Sequence, residues 1–169
     1  MERAIMKVII TANGKGERMK GVSEAPKYSL LYKGKSILDN LLSVFPNAYI
    51  LTHHDLEGYK VIPCKPTETR KETLSFVEVW TNVLIVDCDI IIDEFPFTPE
   101  EDTIYCKPTD HEDIGGGMSA SGLYFVKSVS TLLERMQGDS IASGMKEAKR
   151  VELNTKHLGT PKEYYDSIG

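Results

Sequence analysis

The sequence predicts an α/β domain built on a mostly parallel sheet, and three observations support this prediction. Short apolar, β-branched runs such as 8–10 and 83–86 have the length and composition of buried strands. Segments with apolar residues at helical spacing lie between these runs, and an alternation of strands and helices favours parallel pairing with right-handed crossovers. The first strand leads into a small, glycine-rich segment, which is typical of the binding edge of such a sheet.

The first half of the chain contains two clear helix starts. Residues 36–39 and 69–72 match the capping box, in which a serine or threonine precedes an acidic residue by three positions. The first helix ends before Pro46 and Asn47, and the second is predicted to continue through Trp80. Strands are predicted at 8–10, 48–52, 59–62 and 83–86, with a short extended segment at 28–32.

The second half repeats the alternation less regularly. A surface connection is expected at 94–102 and a mobile glycine-containing loop at 108–118. Strands are predicted at 103–107, 122–126 and 151–153, and helices at 128–136, 141–148 and 161–167. The last helix would begin at Thr160 and Pro161, which suit the N-cap and first helical position.

Length and composition fit one globular domain. The chain has 169 residues, of which 41% are hydrophobic and 27% are charged, values ordinary for a domain with a buried core. We treat residues 1–169 as one domain, with 1–5 as a loose leader or as residues before an alternative start. No apolar run approaches eighteen residues and no signal-peptide pattern is present, so we expect no membrane partner.

The net charge and the cysteines limit the kinds of partner and the cellular compartment that we expect. The net charge of −5 argues against nonspecific nucleic-acid binding, which needs a basic surface. An anionic substrate would therefore need a local basic cluster. Cys64, Cys88 and Cys106 are odd in number, far apart and without zinc or redox spacing, which favours a reduced, cytoplasmic chain. The oligomeric state is not predicted.

Residues 15–27 supply that local cluster. Gly14 and Gly16 can adopt positive φ and allow backbone N–H groups to approach an anion closely. Arg18 and Lys27 add positive charge and hydrogen-bond donors. No Gly-Lys-Ser/Thr follows at Walker A spacing, and the dinucleotide pattern Gly-x-Gly-x-x-Gly lacks its third glycine. The segment predicts a phosphate site at the end of the first strand.

The same segment resembles the signature of the sugar-phosphate nucleotidylyltransferases, Gly-x-Gly-x-Arg-Met followed by Pro-Lys. Two later segments also resemble this family: 120–124 is similar to its Asn/Ala-Gly-Ile-Tyr strand, and 158–164 to its Gly-Thr-Pro element. The residues that match the signature are Gly14, Gly16, Arg18, Met19, Pro26 and Lys27.

The resemblance implies both a fold and a reaction. The fold would be a three-layer α/β/α sandwich with a mostly parallel mixed sheet. The reaction would transfer a nucleoside monophosphate from a nucleoside triphosphate to a sugar phosphate, or a similar phosphorylated small molecule, and release pyrophosphate. The cofactor would be Mg²⁺, with Mn²⁺ as a possible substitute. The chain is short for this family, and acceptor recognition would depend on 64–73 and 108–124.

Two aspartates follow the strand at 83–86. If the chain stays extended, Asp87 and Asp89 face the same side, and two hard oxygen donors beside a triphosphate suit Mg²⁺. In the family an aspartate at this strand end binds the metal, and Asp89 is the closer match. His157 stands where many members have a second metal-binding aspartate. It could bind the metal, contact a phosphate or be structural, and these alternatives stay open.

The resemblance assigns the remaining roles residue by residue. Gly122 would leave room for the sugar, and Asn13 is a candidate for contact with the base. His53, His54 and His111 lack ligand spacing and are interpreted as structural, with adjacent His53 and His54 pointing opposite ways on a strand. The predicted catalytic residues are Arg18, Lys27 and Asp89; the nucleotide-binding residues are Ala12, Asn13, Gly14, Lys15, Gly16, Glu17, Arg18 and Lys27; and the metal ligands are Asp87, Asp89 and His157.

Two other functions stay open. Asp-x-Asp after a buried strand is also the metal motif of many glycosyltransferases of related fold, which generally lack the glycine-rich signature. A nucleotide-binding relative without catalysis would fit the short chain and the histidine at position 157. The sequence identifies neither the base nor the acceptor.

Overall fold

The computed structural model describes residues 6–13, 27–108 and 113–158. The predicted leader, most of the glycine-rich signature (14–26), His111 and the predicted last helix lie outside the described residues, as do the side chains of Lys27 and Asp113. Predictions made for these positions therefore stay predictions.

The described chain alternates strands and helices. The helices are α1 (Ile37–Val44), α2 (Arg70–Ser75) and α3 (Val129–Arg135), with 3₁₀ turns at Lys27–Ser29 and Ala142–Gly144. The strands are β1 (Lys7–Thr11), β2 (Leu31–Tyr32), β3 (Lys35–Ser36), β4 (Tyr49–Thr52), β5 (Val61–Pro63), β6 (Thr81–Asp87), β7 (Ile90–Ile91), β8 (Thr103–Pro108), β9 (Asp113–Gly115), β10 (Met118–Ser128), β11 (Lys149–Glu152) and β12 (Lys156–His157).

The main sheet confirms the predicted mostly parallel mixed topology. Its order is β11-β8-β10-β6-β1-β4-β5, with β9 paired to β10. β1 lies parallel to both β4 and β6, and β5 is parallel to β4. β10 is antiparallel to both β6 and β8, so β8 runs in the same direction as β6. β1, β4, β6 and β8 therefore end at one edge of the sheet, called the carboxyl edge below.

Apolar side chains on both faces of the sheet produce the predicted three layers. Along β6, Leu84 and Val86 pack with α1, whereas Val83 and Ile85 pack with α2 and α3. These four side chains are fully buried. Successive residues of a strand point to opposite faces, so a strand covered on both sides appears as a continuous apolar run. Each fully buried aliphatic side chain contributes about 1.5–3 kcal/mol relative to exposure.

Short polar side chains cap the helices where the sequence predicts. Ser36 accepts a hydrogen bond from the Asp39 N–H at 3.0 Å, and Thr69 accepts one from the Glu72 N–H at 3.1 Å. Each bond satisfies an N–H group that has no partner within its own helix. The caps fix the first residue of each helix, and in α2 that residue is Arg70.

Four predicted elements differ from the structure. The segment predicted as extended at 28–32 begins within the 3₁₀ turn Lys27–Ser29 and is a strand only at Leu31–Tyr32. α2 ends at Ser75 instead of Trp80, because residues 76–80 form successive tight turns with bonds such as Val77 N–H to Leu74 O. The helix predicted at 141–148 is a single 3₁₀ turn. The predicted loop 108–118 contains β9 and the start of β10, joined through glycines with positive φ. Among the helices of the described ranges, none has the length and apolarity to cross a membrane.

Candidate active site

The predicted metal-binding aspartates lie at the carboxyl edge of the central strands. Asp87 is the last residue of β6 and is in register with Thr11, the last residue of β1. The chain then turns at residues 88–89 before β7 begins at Ile90. The extended conformation that would place Asp87 and Asp89 on one face is therefore absent, and that argument was wrong. The aspartates nevertheless share a neighbour, Arg70.

Arg70 is a candidate site residue that the sequence analysis did not name, although it lies within the range 64–73 expected to recognise the acceptor. Its Nη2 lies 3.7 Å from Asp87 Oδ2, and Asp87 is nearly buried. The pKa of Arg70 is raised, chiefly by Asp87 and to a smaller extent by Tyr124, Asp89 and Asp139, although burial opposes the rise. Arg70 therefore stays charged beside both predicted metal ligands. An arginine directly after the capping threonine Thr69 was the available signal, since this helix starts on the connection that follows β5.

Tyr124 forms the buried wall behind this ion pair. It lies on β10 opposite Ile85 of β6 and is 4% exposed. Burial raises the pKa of its phenol and Asp87 raises it further, while the charge and hydrogen bond of Arg70 act in the opposite direction. The phenol is therefore neutral at physiological pH.

Gly122 lies close to Asp87, but the residue that most restricts it is Ile90. Its φ is +97°, and a Cβ at this position would lie 2.8 Å from Ile90 Cγ2 and 3.5 Å from Asp87 Oδ2. Such an approach to Ile90 is closer than carbon atoms tolerate without movement. The absence of a side chain thus makes room for Ile90. Room for a sugar at Gly122 stays a prediction.

The structure brings the segment of His157 beside Asp89. β12 pairs with β7 so that His157 is opposite Ile90, and the Leu158 N–H donates to the Asp89 carbonyl at 2.6 Å. Asp89 Oδ1 and His157 Nδ1 are buried atoms. Two distant parts of the sequence therefore meet at one turn, although no metal role follows from the backbone pairing alone.

The available donors fit a metal ion that arrives with a phosphate ligand. Asp87 and Asp89 provide carboxylate oxygens, and Mg²⁺ in proteins is often held by one or two carboxylates together with substrate phosphates and water. Over the ranges that the structure describes, no group of three or more His, Cys, Asp or Glu residues is arranged to hold a metal without such help.

Ala12 and Asn13 continue β1 into the glycine-rich signature. The Ala12 N–H donates to the Leu51 carbonyl at 2.9 Å. The buried Asn13 amide donates to Thr67 Oγ1 at 2.7 Å and to the Lys65 carbonyl, while its oxygen accepts from the His53 N–H at 2.7 Å. These bonds give the Asn13 side chain a structural role at the start of the segment, and its contact with a base stays a prediction.

His53 and His54 do not point in opposite directions as predicted. They follow the end of β4, outside regular strand geometry, and their ring centroids are 4.1 Å apart. His54 also packs edge-on against Tyr28 at 5.6 Å. Burial lowers the pKa of His54, and the neighbouring His53 lowers it further.

Lys107 is a second residue that the sequence analysis missed. It lies near the end of β8, at the carboxyl edge, and is 3% exposed. Its Nζ donates to the Thr155 carbonyl at 2.5 Å. Lysine is rarely buried to this extent unless its charge has a partner. The Lys-Pro pair at the end of a predicted strand was the available sequence signal.

The sequence matches no protein-family model and no curated protein sequence. Solved structures, however, match over nearly the whole chain. A CTP:phosphocholine cytidylyltransferase from Streptococcus pneumoniae superposes with a TM-score of 0.74 at 14% identity, covering 95% of this chain and 96% of the other. An inositol-1-phosphate CTP transferase from T. maritima gives 0.69 at 13% identity, covering 99% and 96%.

A UDP-glucose pyrophosphorylase from Acinetobacter baumannii gives a TM-score of 0.71 at 11% identity, covering 98% of this chain and 92% of the other. The names of these three proteins describe nucleotidyl transfer to small phosphorylated molecules. Identities this low support a statement about the fold. The chain has the nucleotidyltransferase-like α/β fold that the resemblance of its glycine-rich signature implied.

Proposed function

We propose that this protein is a nucleotidyltransferase. It transfers a nucleoside monophosphate from a nucleoside triphosphate to a sugar phosphate, or a similar phosphorylated small molecule, and releases pyrophosphate. The observation that supports this most is the convergence of Asp87, Asp89 and Gly122 at the carboxyl edge, next to the strand that leads into the glycine-rich signature. The superposition on solved nucleotidyltransferases supports the same reaction class.

In this proposal, backbone amides and positively charged side chains bind the phosphate groups of the two substrates. The backbone amides near Gly14 and Gly16, with the side chain of Arg18, would hold the triphosphate. Lys27 would lie between the α-phosphate and the attacking phosphate of the acceptor. A phosphate monoester is already an anion near neutral pH, so no general base is needed. As in phosphoryl transfer generally, positioning and electrostatic stabilisation would then provide most of the rate enhancement.

Asp89, with Asp87 beside it, would hold Mg²⁺ or Mn²⁺. The bound cation would neutralise charge on the triphosphate and on the leaving pyrophosphate. Lys107 places a further positive charge near the carboxyl edge.

The experiment is a pyrophosphate-release assay. The purified protein is incubated with Mg²⁺ and each nucleoside triphosphate in turn, together with a panel of sugar phosphates and phosphocholine. One donor and acceptor pair should release pyrophosphate, and chelator should abolish the release. Sugar nucleotides used as donors should give no transfer to an acceptor. Transfer from a sugar nucleotide without pyrophosphate would instead indicate a glycosyltransferase.

Asp89→Asn tests the assigned metal ligand in the same assay. The amide keeps the size of the side chain but removes its charge, so turnover should fall at least tenfold, as expected when a charge-assisted contact is lost. The matched control is Glu134→Gln, a neutralisation on the exposed face of α3. It should behave as wild type. Full activity of Asp89→Asn at limiting Mg²⁺ would reject Asp89 as a ligand.

A further inference from the structure

Arg70 already provides positive charge at one of the two predicted metal ligands. Its Nη2 lies 3.7 Å from Asp87 Oδ2, and the Asp87 side chain is 9% exposed whereas that of Arg70 is 41% exposed. A carboxylate this deeply buried needs an opposite charge nearby to remain ionised. Arg70 supplies one such charge.

A divalent cation at Asp87 would come close to the guanidinium. Two positive charges within a few ångströms repel each other strongly where the surroundings are partly buried. Tyr124 closes the site from behind, because its buried ring lies on β10 against the end of β6. Among the described residues, Tyr124 thus covers the inner side of Arg70, whose side chain keeps an exposed part.

A second carboxylate, that of Asp139 in the segment after α3, contacts the start of α2. Asp139 is exposed, and its Oδ1 accepts a hydrogen bond from the backbone N–H of Lys71 at 3.1 Å. Asp139 also contributes to the electrostatic environment of Arg70. Arg70 can thus lose its contact with Asp87 and still have a carboxylate close by.

We propose that Arg70 competes with the divalent metal ion for Asp87 and so keeps metal affinity low until the triphosphate binds. This proposal rests on the proposed function, because it takes Asp87 and Asp89 as the metal-binding carboxylates. The bound triphosphate adds negative charge, which shifts the balance toward the metal and releases Arg70 toward Asp139. Arg70 is thus a positioning residue that couples metal binding to nucleotide binding.

The test measures metal binding directly, by electron paramagnetic resonance of free Mn²⁺ titrated with nucleotide-free protein. Arg70→Gln removes the charge but keeps a polar side chain of similar length. It should bind Mn²⁺ roughly tenfold more tightly than wild type, which corresponds to about 1.4 kcal/mol. Arg70→Lys, which keeps the charge, should stay close to wild type. Arg135→Gln is the matched control, because Arg135, on α3, also forms an ion pair with an aspartate: its Nη1 lies 3.9 Å from Asp102 Oδ2.

A second measurement checks the coupling itself. Addition of a nucleoside triphosphate should strengthen Mn²⁺ binding more in wild type than in Arg70→Gln, because the variant has no competing charge to displace. Thermal unfolding of each variant verifies that the fold is intact. Mn²⁺ affinity of Arg70→Gln that is equal to or weaker than wild type, including no binding in either protein, overturns the proposal. Failure of the proposed function is seen separately, as absence of pyrophosphate release by the wild-type protein.

Discussion

At the scale of single residues, the glycine-rich signature carries the prediction on which the proposed chemistry most depends. Arg18→Ala should weaken triphosphate binding, and Lys27→Ala should lower turnover more than binding, because Lys27 would contact the reacting phosphates. A charge-assisted hydrogen bond contributes about 1.5–3 kcal/mol, so losses of roughly ten- to hundredfold are expected. Steady-state kinetics of pyrophosphate release separate the two effects. Wild-type kinetics in both variants would remove the phosphate site from this segment.

Gly122 allows a prediction about stability at the same scale. Gly122→Ala must accept a φ of +97° and a Cβ contact of 2.8 Å with Ile90 Cγ2. Gly58→Ala is the matched control, because its φ is +87° and nothing lies within 4 Å of the added Cβ. The positive φ should cost both variants about 1 kcal/mol or more. Crowding should cost Gly122→Ala a further 1–3 kcal/mol, roughly. Equal urea-unfolding free energies for the two variants would show that Ile90 moves aside freely.

At the scale of elements, α2 shows how a local sequence signal positions a site residue. Thr69→Ala removes the acceptor for the Glu72 N–H, and Ser128→Ala removes the corresponding acceptor for the Thr131 N–H in α3. Each change should lower the free energy of unfolding by about 1 kcal/mol. Only Thr69→Ala should also change the Mn²⁺ affinity of the nucleotide-free protein, because α2 carries Arg70. Equal Mn²⁺ affinity in the two variants would mean that the Thr69 cap does not position Arg70.

The bounds of the helices show where the sequence-based predictions agree with the structure and where they do not. The caps and apolar runs of α1 and α2 are local signals, and they correctly predicted where both helices begin. The end of α2 was wrong because residues 76–80 keep apolar spacing while forming tight turns, in which Val79 is 84% exposed. The helix predicted at 141–148 failed for a tertiary reason. A Cβ at Gly144 would lie 2.9 Å from Leu132 Cδ1, so this 3₁₀ segment packs against α3 more closely than a side chain at position 144 would allow.

At the scale of the whole molecule, the sequence allowed us to predict the positions of those site residues that directly follow buried strands. Apolar runs indicated which strands are buried, and a parallel sheet brings the residues after them to one edge. Arg70 and Lys107 were missed because each is recognised by its tertiary contact, with Asp87 in one case and with the Thr155 carbonyl in the other. Periodicity in a single segment contains no information about such pairs.

The pairing of β12 with β7 leads to the last prediction, which concerns residues far apart in the sequence. His157 is opposite Ile90, beside the turn that holds Asp89, and its role as a metal ligand stays a prediction. If His157 binds the metal, it replaces a carboxylate by imidazole, which suits Mn²⁺ better than Mg²⁺. His157→Asp should then lower the Mg²⁺ concentration needed for half-maximal rate and change the Mn²⁺ requirement less. His157→Asn is the control, since it adds no charge. The effect is measured by Mg²⁺ and Mn²⁺ titrations of the activity of wild type and the two variants. If His157→Asp behaves like wild type with both metals, His157 is not a metal ligand and has only a structural role in the β12–β7 pair.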